Sequence, residues 1–255
     1  RAPVSGDIIK INTLKSGETY ENDIEGLSCP HIEFGGSASS PYPQITGKKI
    51  VLTGGWNALG SASGRYTCAI PFELPLGPDG NPTNRFAFTG GRMQQDGVLS
   101  GPGLLYVQNA NYYTPNIACT YSGGTYMTGG TIDPSKEGCF GSGDVTVSDS
   151  AQFRFYGTSK MENTWRFVNQ ANQADTRHSA HFWTSTTVNN VLGERAAFDL
   201  SPNQTLTVNG DVQVGKLILS MSGADHKVDN TAVDMTRFVF NKPVVTASLN
   251  PSLDG

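Results

Sequence analysis

Charge is scarce in this chain and nowhere clustered. Asp, Glu, Lys and Arg make up 16% of the 255 residues, and 18 basic against 22 acidic side chains leave a formal net charge of −4. The basic residues are scattered, so the electropositive stripe of a nucleic-acid footprint is missing and no nucleic-acid partner is expected. Long apolar runs are also missing. None approaches the roughly 18 residues that a membrane-crossing helix requires. Interleaved Gly and Pro interrupt the alternating segments that could line a membrane barrel, so no membrane insertion is expected. Blocks rich in Ala, Glu, Lys and Leu, the strong helix formers, do not occur. No G-x-S-x-G elbow, P-loop or dinucleotide fingerprint is present. Glycine pairs such as Gly54-Gly55 precede no helical pattern and read as corners. No cofactor is expected.

Cysteine is limited to Cys29, Cys68, Cys119 and Cys139. None lies in a C-x-x-C pair, which removes the usual zinc spacing. Two readings stay open: two disulfides, with Cys29–Cys68 and Cys119–Cys139 the simplest pairing, or four small buried thiols. Because the chain begins at Arg1, it is expected to be a processed product, a fragment or the ordered part of a longer protein.

What is abundant is turn and strand chemistry. The sequence holds 30 Gly and 14 Pro, with 9 Tyr, 12 Phe and 3 Trp spread along its length. That mix suits short strands between turns and is not a disordered composition. Strand-like runs occur at Asp7–Leu14, Lys48–Gly54, Arg65–Phe72, Arg85–Thr89, Gly103–Gln108, Ala151–Tyr156, Thr164–Gln170 and Arg195–Leu200. Period-two alternation places one row of side chains on each face of a strand. Residues 169–177 show no such period and read as a helical turn. Gly-Gly corners follow several runs, a loose repeat that suits solenoid rungs or a fibrous stack without a strict period.

The cleanest pattern is C-terminal, in Thr205–Val208, Val212–Ser220 and Arg237–Ser248. The first two meet at Asn209-Gly210-Asp211, which predicts a tight hairpin. The fold class expected is therefore all-β, with many short strands in a fibre-like, β-sandwich or β-solenoid architecture. Residues 1–200 read as a main β domain, and 201–255 as a C-terminal hairpin or strand segment that oligomerises.

Candidate chemistry is sparse. His178 and His181, three apart, would share a face on a helix and could bind a cation together. His181 enters a strand-like run, where that spacing sends the two to opposite faces, so no metal site is expected. His31 and His226 are isolated and read as surface residues. Among the acids Asp96, Asp133, Glu137, Asp144, Asp149, Glu194 and Asp199, no spacing selects the pair that glycoside hydrolysis needs. No catalytic residue is assigned. The better hint is aromatic. Trp56, Tyr66, Tyr112, Tyr113, Tyr121 and Tyr126 lie beside Gly, Asn, Ser and Thr, a setting in which exposed rings can stack on sugar faces. Trp165 and Trp183 read as core.

The stretch LTVNGDVQVGKLILS with TRFVFNKPVVTAS resembles the short-strand segments of bacteriophage tail fibres and tailspikes. That resemblance implies an intertwined homo-oligomer, a trimer above all, on a virion or cell surface, which recognises a host surface glycan or protein. The four cysteines depart from such fibres. Pro243–Pro251 (PVVTASLNP) is also similar to the donor strand of chaperone–usher pilus subunits, and the Cys29/Cys68 separation suits a pilin-type bridge. In those subunits the donor strand is usually N-terminal. The function expected is a non-enzymatic structural or receptor-binding role with a glycan as ligand. A polysaccharide-degrading β-solenoid and a pilus subunit are the alternatives.

Overall fold

The computed structural model describes residues 2–35, 39–59, 65–80, 85–89, 92–157, 160–174, 177–221 and 234–249. Within them the chain is built from strands joined by tight corners, and no α-helix is present among the described residues. The first third contains β1 (Ile8–Ile11), β2 (Thr19–Asn22), β3 (Ser28–Gly35), β4 (Gln44–Gly47), β5 (Ile50–Leu59), β6 (Arg65–Cys68) and β7 (Phe72–Glu73). The middle contains β8 (Arg85–Thr89), β9 (Arg92–Gln95), β10 (Leu99–Ser100), β11 (Leu104–Pro115), β12 (Thr125–Ile132), β13 (Val145–Ser148), β14 (Gln152–Phe155), β15 (Lys160–Met161) and β16 (Trp165–Val168). The last part contains β17 (Ala180–Phe182), β18 (Thr186–Val188), β19 (Val191–Leu200), β20 (Leu206–Val208), β21 (Val212–Ser220), β22 (Phe238–Phe240) and β23 (Val244–Leu249).

Every strand pair is parallel, so the chain winds as a β-solenoid. One face stacks β8, the start of β11, β12, β13, β16 and the starts of β19, β21 and β23. A second face stacks β2, β4, β6, β9, the ends of β11 and β12, β14, β17 and the end of β19. A third carries β15, β18, β20 and β22. The pairing of β19 with β21 runs across residue 200, where the sequence suggests a division. The terminal Val244–Leu249 strand pairs in cis on β21.

The stack has a period that the sequence reading misses. Leu105, Thr125, Val145 and Trp165 lie over one another, each 20 residues after the last. Elsewhere the step widens, to 26 residues from Trp165 to Val191 and to 32 from Trp56 to Phe88 and from Val212 to Val244. The paired strands keep their parallel ladder across these wider steps.

Alternation within each rung gives a continuous apolar interior. Phe153, Phe155, Trp165, Phe167, Phe182 and Phe198 are all buried. Phe155 and Phe182, in adjacent rungs, stack at 4.8 Å with planes 9° apart, and Phe153 meets Trp165 edge-on at 4.6 Å. Each such pair is worth about 1 kcal/mol beyond its buried area.

The hairpin expected at Asn209-Gly210-Asp211 is not formed. β20 and β21 belong to different faces, so the turn is a solenoid corner. Asn190 on the rung below explains its composition. Asn190 Oδ1 accepts from the Asp211 amide at 2.8 Å, and a Cβ on Gly210 would fall 2.1 Å from that oxygen. Gly210 is there for clearance, whereas a hairpin would need its positive φ. Residues 169–174 form a hydrogen-bonded turn, Gln173 N to Gln170 O at 3.0 Å, and no helix.

Gly193 marks the bend of β19 between two faces. Its φ is +120°, and an added Cβ would stand 2.2 Å from the Phe167 carbonyl oxygen of the neighbouring rung. Replacing it should cost both the strained backbone and the inter-rung contact. Gly193→Ala is expected to lower unfolding free energy in urea by about 3 kcal/mol. Gly157→Ala, at an exposed site with nothing within 4 Å, should stay within about 0.5 kcal/mol of the parent.

Candidate functional site

The outward row of the second face gathers most of the chemistry. Register stacks Arg65 on Arg92 and Arg92 on Tyr112, while Gln94 stacks on Thr114. Arg92 lies with its guanidinium 4.5 Å from the centre of the Tyr112 ring, and Arg154 covers the same ring at 4.9 Å. Arg154 also reaches the Tyr156 ring at 5.0 Å, and Arg65 sits 5.7 Å from that of Tyr42. Tyr42, Arg65, Arg92, Tyr112 and Arg154, together with Met93, Thr114 and Asp133, line a cavity of about 260 Å³.

Three cations face one carboxylate here. Asp133 is clamped by Arg154, Nε to Oδ1 at 3.0 Å and the terminal nitrogen to Oδ2 at 3.3 Å. Burial pulls the Arg154 pKa down, but the hydrogen bond and charge of Asp133 outweigh it, so the group sits above its ordinary value. Arg65 is bonded to the Gln94 side-chain oxygen, and Gln94 donates in turn to Asp96 at 3.0 Å. Arg92 is exposed and has no carboxylate partner among the described residues. Aromatic faces hold the guanidinium groups in place, and the N–H edge of Arg92 is left uncommitted to a carboxylate, which suits an anionic ligand.

Of the aromatic residues singled out from the sequence, Tyr112 belongs to this groove. Tyr66, Tyr113 and Tyr121 do not: all three are core residues, with Tyr113 and Tyr121 wholly buried. A ring with no exposed face cannot stack on a ligand, and burial pushes both of those phenols far above their usual pKa. Tyr126 is half-buried on the first face, stacked on Tyr106 at 5.5 Å with planes 7° apart. The Trp56 side chain lies outside the described residues, as does His226. Trp165 is core as expected, whereas Trp183 is half-buried and stacks on Tyr156 at 5.3 Å. The sequence reading missed Arg65, Arg92, Arg154, Tyr42 and Tyr156, since only the rung register brings them together.

Two further expectations change. The sequence sends His178 and His181 to opposite faces, but His178 precedes β17, and its turn brings it back beside His181 and Asp199, all three buried. Neither disulfide is formed: Cys29, Cys68, Cys119 and Cys139 are free and buried. His31 faces Glu33 at 3.2 Å and is partly exposed.

Comparison with protein families, with curated proteins and with solved structures found no match. The groove must therefore be read from its own geometry.

The thiols allow a direct check. Burial pushes Cys29 and Cys119 up to about 11, and raises Cys68 and Cys139 further. The reactive thiolate is thus suppressed in the native state. At pH 8 the native protein should leave all four thiols unreacted with Ellman's reagent, and urea should release all four. The folded state keeps these protons where the unfolded chain loses them. Stability should therefore be full below pH 9 and decline as pH rises from about 9 to about 11.

Proposed function

We propose that this chain is a recognition and scaffold protein of the virion or cell surface, whose second-face groove binds an acidic, extended glycan. The observation that carries this reading is the cluster of Arg65, Arg92 and Arg154 held against Tyr42, Tyr112 and Tyr156. Guanidinium groups take carboxylate or sulfate oxygens in pairs, and the rings between them offer sugar-stacking faces. Parallel rungs repeat about every 4.8 Å, so a linear polymer can make the same contact with successive turns. β-Solenoids are common among tail fibres and tailspikes, which agrees with the resemblance of the C-terminal stretch.

Binding is favoured over hydrolysis because Asp133, the one carboxylate lining the groove among the described residues, is committed to Arg154. A two-carboxylate mechanism would need a second acid and an unclamped first one. A homo-oligomer, with three chains as the favoured number, is part of the proposal. Val245, Ile8 and Val4 are 60%, 58% and 54% exposed toward the two ends of the stack, where a neighbour could cover them.

Isothermal titration with polygalacturonate and with dextran tests the ligand class. The acidic polymer should bind and the neutral one should not, and the affinity should fall with added salt. Arg92→Ala should weaken binding about tenfold, the loss of one charge-assisted contact worth about 1.4 kcal/mol. Equal binding of dextran, or an Arg92→Ala variant with parent affinity, would refute this reading. Shortened polymer chains after incubation would favour the depolymerase instead. Native mass spectrometry at neutral pH should show a multiple of the 27.2 kDa chain, and a stable monomer would remove the oligomer from the proposal.

A further inference from the structure

We infer that His178, His181 and Asp199 form a binding site for a divalent transition metal, with zinc as the natural occupant of such a donor set. Two imidazoles and one carboxylate converge there, their ligating atoms all within 4.8 Å of one another. The three residues are 1%, 1% and 0% exposed. The His178 and His181 rings stand 5.4 Å apart with their planes inclined at 62°.

The way His181 meets Asp199 is the decisive feature. Its Nδ1 lies 2.7 Å from Asp199 Oδ2, yet that buried nitrogen has no hydrogen-bond partner. A close approach without hydrogen-bond alignment is what results when two lone pairs are aimed at a shared third body. Ligands held 2.0–2.1 Å from a tetrahedral zinc stand roughly 3.3 Å apart. The observed spread, from 2.7 Å to at most 4.8 Å, brackets that value, so small side-chain rotations complete the geometry.

The surroundings fit the same reading. His181 Nε2 is 3.0 Å from Ser201 Oγ, a bond that holds the ring and leaves Nδ1 as the lone-pair nitrogen when Nε2 donates. Ser220 Oγ donates to Asp199 Oδ1 at 2.7 Å, which leaves Oδ2 turned to the histidines. Metal-binding imidazoles and carboxylates are ordinarily oriented by such outer partners. A buried carboxylate is also costly without a cation beside it. The competing occupant is a proton, which would make an imidazolium–carboxylate pair of His181 and Asp199. That arrangement calls for the aligned Nδ1–H bond that is missing.

Three protein ligands leave one position on a tetrahedral ion, and the N₂O set favours Zn²⁺, Ni²⁺, Cu²⁺ or Co²⁺ over Mg²⁺ and Ca²⁺. The ion would tie the residues before β17 to β17 and β19, pinning the wide corner to the stack.

The test uses the full chain stripped with EDTA and dialysed. Calorimetric titration with Zn²⁺ alone should give one equivalent per chain, and Mg²⁺ should give none. Co²⁺ should produce the visible absorption of a tetrahedral complex, a readout that needs no variant. His178→Ala, which leaves the His181–Asp199 contact in place, should lower Zn²⁺ affinity at least tenfold, while His31→Ala should leave it unchanged. No Zn²⁺ uptake, uptake lost equally in His31→Ala, or full affinity in a folded His178→Ala protein would each overturn the assignment.

Discussion

Parallel stacking imposes one demand on every turn of this molecule. Each rung must offer its backbone N–H and C=O groups to the rungs above and below, and each must put the same kind of side chain over its neighbour. No strand can shift by one residue, because a slip would turn its apolar row outward. Corners escape this demand. They need only return the chain to the next face, so the ladder is kept over a 20-residue and a 32-residue step alike. Conformational freedom is thus confined to the corners, and the interior is fixed by repetition. The stacked Phe155 and Phe182 and the crossed Phe153 and Trp165 are among its close aromatic contacts.

That division explains what the amino-acid sequence discloses and what it hides. Alternation is local, so the strands and the all-β class can be read directly. Tyr112 and Tyr113 are adjacent on one strand, and alternation alone requires one to face in and the other out. Reading that parity would have separated them. The same holds for Arg65 and Tyr66, and for Tyr126 and Met127. The period is harder to see because corner insertions on either side of the 105–165 window hide it. The hairpin error has a similar origin. An Asn-Gly pair serves a reversal and a crowded corner equally well, and only the partner on the next rung, Asn190, distinguishes them. The groove was invisible for the same reason: Arg92 and Tyr112 are 20 residues apart in the chain and neighbours on the surface.

Stacking also sets how charge is handled. On an outward row, each side chain has the next rung's side chain about 4.8 Å away, so like charges in register repel and opposite ones pair. Arg65 and Arg92 are aligned in register, and the groove manages that repulsion with rings and an amide: Tyr42 and Tyr112 lie under the two guanidinium groups, and Gln94 bonds to the first. Two cations held side by side without a shared carboxylate are a standing demand for an anion. Asp133 meets that demand for Arg154 alone.

A parallel row, two residues along from that of Arg92 and Tyr112, changes character along the stack. Arg154 is in register with His181, His181 with Asp199, and Asp199 with Ser220. Arg154 is half-buried there, and toward the closed end the members become histidine, aspartate and serine. The change coincides with the widened step between Trp165 and Val191. Arg195, buried on β19, donates to the Ala174 and Arg177 carbonyls at 2.9 and 2.7 Å and fixes that corner in place. His178 arrives at the cluster only because of this extra length. A corner of the regular 20-residue spacing would bring β17 in directly after β16 and would leave His181 and Asp199 as an isolated pair. A wide corner anchored by a buried arginine, with a second imidazole beside a buried carboxylate, has a physical purpose that the bare stack does not supply, and a shared cation provides one.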